Sequence, residues 1–86
     1  MKTKDLKRVT AIIPCYNEES GIAEVIGKFP RKQLLAHGFE LEVVVVDNNS
    51  KDRTSEVAAA AGARVIFEPK QGKGNAIRTG FYSIGD

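Results

Sequence analysis

Residues 43–46 are four consecutive valines, closing the run LEVVVV from Leu41. β-Branched side chains favour extended backbone, and a strand with no sustained polar alternation must be covered on both faces. Such strands belong to parallel sheets, whose neighbours are joined by crossovers of a dozen or more residues, usually helical. With 86 residues in all, the chain has room for one compact α/β domain. Folding at this size removes only about 60–65% of the unfolded chain's surface from water, which leaves a thin core and little space for a closed catalytic cavity. A complete multi-step enzyme is not expected from these residues alone.

The flanking sequence supplies the crossovers. Val9–Pro14 (VTAIIP) is a second apolar, β-branched run, closed by proline. Ser20 is placed to cap a helix whose apolar face is Ile22, Val25, Ile26 and Phe29, ended by Pro30. A short helical piece, Lys32–His37, follows, with Gly38 as a left-handed stop. After the Leu41–Val46 strand, Ser50 or Asp52 can cap an alanine-rich helix over Ser55–Ala61, with Gly62 ending it. Arg64–Glu68 is a third strand, and Gly74–Ile84 has the period of a last helix with Ile77, Phe81 and Ile84 on one side. The order β-α-β-α-β-α predicts a parallel sheet with right-handed crossovers.

Composition narrows the function classes. Lys and Arg number 13 against 11 Asp and Glu, a net charge of +2. This is far short of the basic stripe of a dedicated nucleic-acid binder, so no nucleic-acid partner is expected. Lys70, Lys73 and Arg78 also lack interleaved aromatics. Cys15 is the only cysteine, which excludes an internal disulfide and fits a reducing, cytoplasmic setting. No apolar run approaches the roughly 20 residues of a membrane-spanning helix, and Met1–Arg8 is polar.

In open α/β sheets ligands bind beyond the carboxyl ends of the strands. Those ends carry Cys15-Tyr16-Asn17-Glu18, Asp47-Asn48-Asn49-Ser50 and Glu68-Pro69-Lys70-Gln71-Gly72-Lys73-Gly74-Asn75, so one edge collects the distinctive polar residues. Asp47 stands where a buried strand emerges and can accept a hydrogen bond from a base or sugar; as a structural residue it would be a helix N-terminal cap or a partner of Arg53. Tyr16 offers a face for stacking, or is simply a half-buried ring with a wet hydroxyl. Glu18 could hold a ribose hydroxyl or only favour a helix start. Lys70–Asn75 sets two ammonium groups and two glycines before a helix, with Arg78 one turn inside, an anion-binding arrangement or a solvated basic loop. It is not a P-loop, since Phe67 and Gly74 occupy positions that motif reserves for Gly and for Ser or Thr. The first strand–helix turn has no glycine and so is not a dinucleotide fingerprint. Neither Cys15, which has no base partner, nor His37, at the far end of the sheet, is assigned a catalytic role.

Three segments, VTAIIPCYNEE (9–19), VVVVDNNSKDRT (43–54) and AGARVIFEPKQGKGNAIRTGF (61–81), together resemble the N-terminal part of the inverting family 2 glycosyltransferases, nearest to the branch of dolichyl-phosphate mannose and glucose synthases. They follow the family's order and cover about half of the chain. The resemblance implies the GT-A fold, a three-layer Rossmann-like α/β sandwich, here with a three-stranded parallel sheet in the order 3-2-1. It also implies a nucleoside-diphosphate sugar as donor and, among candidate acceptors, a lipid (polyprenyl) phosphate at the cytoplasmic face of a membrane. By matching positions, Pro14, Tyr16, Asn17 and Glu18 line the nucleoside pocket and Asp47 contacts the base. Lys70, Lys73, Gly74, Asn75 and Arg78 lie near base, ribose or diphosphate. Asn48-Asn49-Ser50 departs from the commoner Asp-Gly-Ser turn, which leaves ligand contact by Asn48 and Asn49 open.

The family's divalent cation, Mg2+ or Mn2+, is held by an Asp-x-Asp motif beyond the third helix, and neither that motif nor the acceptor region with its base is in this sequence. No catalytic and no metal residue is therefore assigned, and residues 1–86 are expected to be an incomplete domain, cut before strand 4 and inactive alone. Its first strand is then an edge with Ile12 and Ile13 poorly covered, which raises self-association as a hypothesis. The competing expectation is a non-catalytic nucleotide- or phosphate-binding module, or a structural remnant.

Overall fold

The valine run becomes the middle of the sheet. In a computed structural model that describes residues 6–72, 74, 78 and 79, β2 (Phe39–Asp47) lies between β1 (Lys7–Cys15) and β3 (Arg64–Phe67), parallel to both. This is the expected order. Each strand pair is in continuous register, with Ile12 opposite Val44, Cys15 opposite Asp47, and Asp47 opposite Phe67.

Alternation along β2 then divides the core. Val43 and Val45 join Cys15, Ile22, Ile26 and Ala58 on one face, while Val44 and Val46 pack with Ile12 and Ile66 on the other. Val44, Val45 and Val46 all have 0% exposure, so both faces of the strand are covered, as its unbroken apolar run demands.

The helices are shorter than the apolar pattern suggests. α1 (Ile22–Gly27) buries Ile22 and Ile26, but Val25 is exposed and Phe29 lies past the helix end. At about 100° per residue Val25 sits roughly 100° round the helix from Ile26, beyond the narrow stripe that faces the core. Ser20 does not cap this helix; its first turn closes on backbone, with the Gly21 and Ile22 amides donating to the Glu18 carbonyl at 3.0 and 2.9 Å. α2 (Arg31–Ala36) buries no residue fully and ends at Gly38, whose φ of 89° is the left-handed stop expected there. α3 (Thr54–Ala60) packs against α1 and the sheet and ends at Gly62, φ 99°. Neither Ser50 nor Asp52 is its N-cap: Arg53 holds that place without a side-chain cap bond, and Asp52, one residue earlier, accepts from the Thr54 amide with its Oδ1 at 3.0 Å. Of the predicted last helix, Gly74, Arg78 and Thr79 are described and helical; Ile77, Phe81 and Ile84 lie outside the described residues.

Among the described residues β1 pairs with β2 alone. Ile12 and Ile13 are half-buried within the two cores, contrary to the expectation that they are poorly covered; the exposed apolar side chain of this strand is Val9, at 38%.

Candidate functional site

The register brings the ends of all three strands side by side, and the loops that leave them are tied to one another by side chains. The first clasp joins the loop after β1 to the loop after β2. The Asn17 amide donates to Ser50 Oγ at 2.8 Å, and Asn17 Oδ1 accepts from the Lys51 amide at 2.8 Å. The Glu18 amide donates to Thr54 Oγ1 at 2.8 Å and the Glu19 amide to Asp52 Oδ2 at 3.2 Å. Asn17 takes a φ of 51° to do this, a left-handed conformation that Asn tolerates better than most residues. Ser50, Asp52 and Thr54 thus satisfy three consecutive amides of the neighbouring loop. The Thr54 hydroxyl in turn bonds the Asp52 carboxylate. That bond holds the Asp52 carboxyl below its ordinary range against desolvation, helped by the Glu19 and Thr54 amides.

The second clasp is Asn48, 7% exposed. Its backbone amide reaches the Cys15 carbonyl at 2.8 Å. Its side-chain Nδ2 donates to the carbonyls of Glu68 (3.1 Å) and Lys70 (2.8 Å), while Oδ1 accepts from the Gly72 amide at 2.9 Å. Gln71 Nε2 closes the ring on the Asn48 carbonyl at 3.1 Å. The third loop is further braced by the Glu68 carboxylate, which accepts from the Lys70 amide at 2.9 Å and from the Thr79 hydroxyl. These bonds, the Thr79 one foremost, keep the Glu68 carboxyl below its usual range.

Asp47 is 3% exposed and faces its own loop, Oδ1 accepting from the Ser50 amide at 2.9 Å and Oδ2 from the Ser55 hydroxyl. It is not a partner of Arg53, which pairs with Glu56 at 3.2 Å. Tyr16, 47% exposed, borders a cavity of about 240 Å3 with Pro14, Cys15 and Asn48. Ligand clefts commonly measure about 300–1,000 Å3, so this hollow suits a planar ring and not an entire nucleotide sugar. Glu18 is on the other side of the β1 end, in a second hollow with Ile13, Pro14, Cys15, Ile22 and Val25. Between them Cys15 is 4% exposed and its thiol is pushed up to about 11, by burial first and then by the charges of Glu18 and Asp47. It is protonated at neutral pH and is no nucleophile.

Pro14, Tyr16 and Asp47 therefore gather at one edge with Lys70, whose loop Asn48 holds there; Lys70, Gly74 and Arg78 are exposed. Asn17 spends its side chain on the clasp, and Lys73 and Asn75 lie outside the described residues. The sequence reading passed over the bonding of Asn48, Thr54 and the Ser50 hydroxyl. Its available signal was a polar run directly after a fully buried strand, where buried polar groups must find partners. Among the described residues no three His, Cys, Asp or Glu side chains converge in a way that could hold a metal ion.

Comparison with known proteins agrees with the fold. Residues 10–83 match the family described as Glycosyl transferase family 2. Protein RfbJ of Shigella flexneri is 43% identical over 76 residues, covering 88% of this chain and 55% of that protein. The human dolichyl-phosphate beta-glucosyltransferase is 37% identical over 89 residues, 90% of this chain and 28% of the enzyme. The crystal structure of glucosyl-3-phosphoglycerate synthase from Mycobacterium tuberculosis in complex with UDP superposes with a TM-score of 0.73 at 29% identity, over 94% of this chain and 31% of that one. Another crystal structure of that synthase also holds Mn2+ and phosphoglyceric acid. The chain spans about half of the first of these relatives and under a third of the others.

Proposed function

Because this chain belongs to glycosyl transferase family 2, we propose that residues 1–86 are the N-terminal, donor-binding portion of a sugar transferase domain, and that its sheet edge takes the nucleotide of a nucleoside-diphosphate sugar. The base stacks on Tyr16 over Pro14, with Asp47 below it. Lys70, Lys73, Gly74, Asn75 and Arg78 serve to bind the ribose and diphosphate, and Glu18 and Asn17 shape the first loop. The observation that carries this reading is the second clasp: Asn48 borders the ring-sized cavity at Tyr16 and its side chain holds the lysine–glycine loop. An exposed lysine, Lys70, beside an apolar slot suits a ligand with a flat apolar end and a polyanionic one.

The whole protein, on this reading, transfers a sugar with inversion to an acceptor such as a polyprenyl phosphate. That acceptor would bring it to the cytoplasmic face of a membrane; no helix among the described residues is long and apolar enough to cross one. Self-association through the open side of β1 is part of the same proposal.

Isothermal titration of the purified chain with UDP, GDP and their hexose conjugates, with and without Mn2+, tests the donor site. Saturable binding of one nucleoside diphosphate tighter than about 1 mM is expected, with no sugar transfer by these residues alone. No binding at millimolar concentration overturns the donor reading and favours a structural remnant. Binding without transfer by a longer form of the protein favours a nucleotide-binding module.

A further inference from the structure

We propose that Asn48 is the positioning residue of the nucleotide site, setting the height of the Lys70–Gly72 turn above the base cavity through its side-chain amide. The inference rests on the donor-site reading above and adds to it a residue that acts through the loop. Both Nδ2 hydrogens are used on carbonyls, Glu68 and Lys70, and Oδ1 is used on the Gly72 amide. The three partners lie along a loop that has just left β3 and wraps around this one side chain. Only an amide offers two donors and an acceptor in that arrangement. An aspartate has the same shape but no donor, and it would set a buried negative charge against two carbonyl oxygens. Asn48 also lines the Tyr16 cavity, so a single residue joins the ring-sized hollow to the loop that carries Lys70.

The charged and titratable groups around this position are Asp47 on β2, the Cys15 thiol on β1, and Glu68 and Lys70 on the third loop. Asp47 and Glu68 raise the pKa of a carboxyl introduced here and Lys70 lowers it; Cys15, protonated, is neutral. Once protonated, that carboxyl regains a donor for the Lys70 carbonyl.

The test compares UDP and uridine binding to the full chain for the wild type, Asn48→Asp and Asn48→Ala, with amide NMR spectra confirming that each is folded. Unpaired buried polar groups are costly, so UDP affinity should fall about tenfold or more in Asn48→Asp at pH 7.5. Uridine, which has no phosphate to meet the loop, should lose much less. Lowering the pH to 5.5 should restore UDP affinity in Asn48→Asp relative to wild type, while Asn48→Ala stays weakened by a constant factor. If Asn48→Asp does not fold, the fall of the UDP-to-uridine affinity ratio in Asn48→Ala carries the test. Equal losses for UDP and uridine, or no loss, overturn the positioning role. Wild type that binds neither ligand overturns the donor reading itself and the role with it, a result told apart by its appearance before any substitution.

Discussion

Thr54 has 0% exposure, and its hydroxyl works in two directions, accepting from the Glu18 amide at 2.8 Å and bonding the Asp52 carboxylate. Thr54→Val keeps the shape and deletes both bonds, leaving the Glu18 amide without its partner; the expected loss of stability is about 1–3 kcal/mol in urea unfolding. The same substitution should change the pH dependence. The Asp52 carboxyl is held below its ordinary value of 3.8 in the folded protein, chiefly by Thr54. Its contribution is therefore present above the unfolded value and lost as pH falls through the lower folded one. Glu68, held low by Thr79, acts in the same sense in both proteins. Wild type should lose urea resistance from about pH 4 downward, and Thr54→Val should lose less over that range. Parallel curves would show that the hydroxyl does not set the Asp52 titration.

Two glycines at helix ends separate backbone strain from packing. Gly62 follows α3 with φ 99°, and a Cβ added there meets nothing within 4 Å. Gly62→Ala should thus cost about 1–2 kcal/mol from the left-handed backbone alone. Gly27 is the last residue of α1, also with nothing within 4 Å of an added Cβ, and Gly27→Ala should stabilise by about 0.4–1 kcal/mol. Urea midpoints moving in the same direction would refute the distinction. Gly62 was legible as a stop because the alanine period breaks there, and the sheet order was legible because four valines leave β2 only a central place. The reach of α1 was less so: Val25 fits the apolar period but falls outside the stripe that tertiary contact selects. The site shows the same split. Topology alone puts Tyr16 and Asp47 at one edge. The duties of Asn48 and Ser50 depend on loops 20 or more residues apart folding back on each other, and no local period encodes that.

For the molecule as a whole, the proposed self-association turns on which way β1 aims its backbone. In a parallel pair the N–H and C=O of one residue point to the same neighbour. Lys7 donates to Gly38 and Cys15 accepts from Asn48, both on the β2 side. The odd positions of β1 therefore face β2, and Arg8, Thr10, Ile12 and the Pro14 carbonyl face outward. Pro14 has no amide to offer, so an incoming strand finds its best partners between Arg8 and Ile12. An edge this short supports a weak dimer, opposed only slightly by a net charge of +2. Sedimentation velocity should show a weight-average coefficient that rises with concentration. Thr10→Pro removes an outward amide and no bond to β2, and should leave the chain folded and monomeric. Ala11→Pro removes a bond to β2 and should unfold it. A wild type whose coefficient stays flat to the highest concentration reached would show that the open side of β1 does not recruit a second copy.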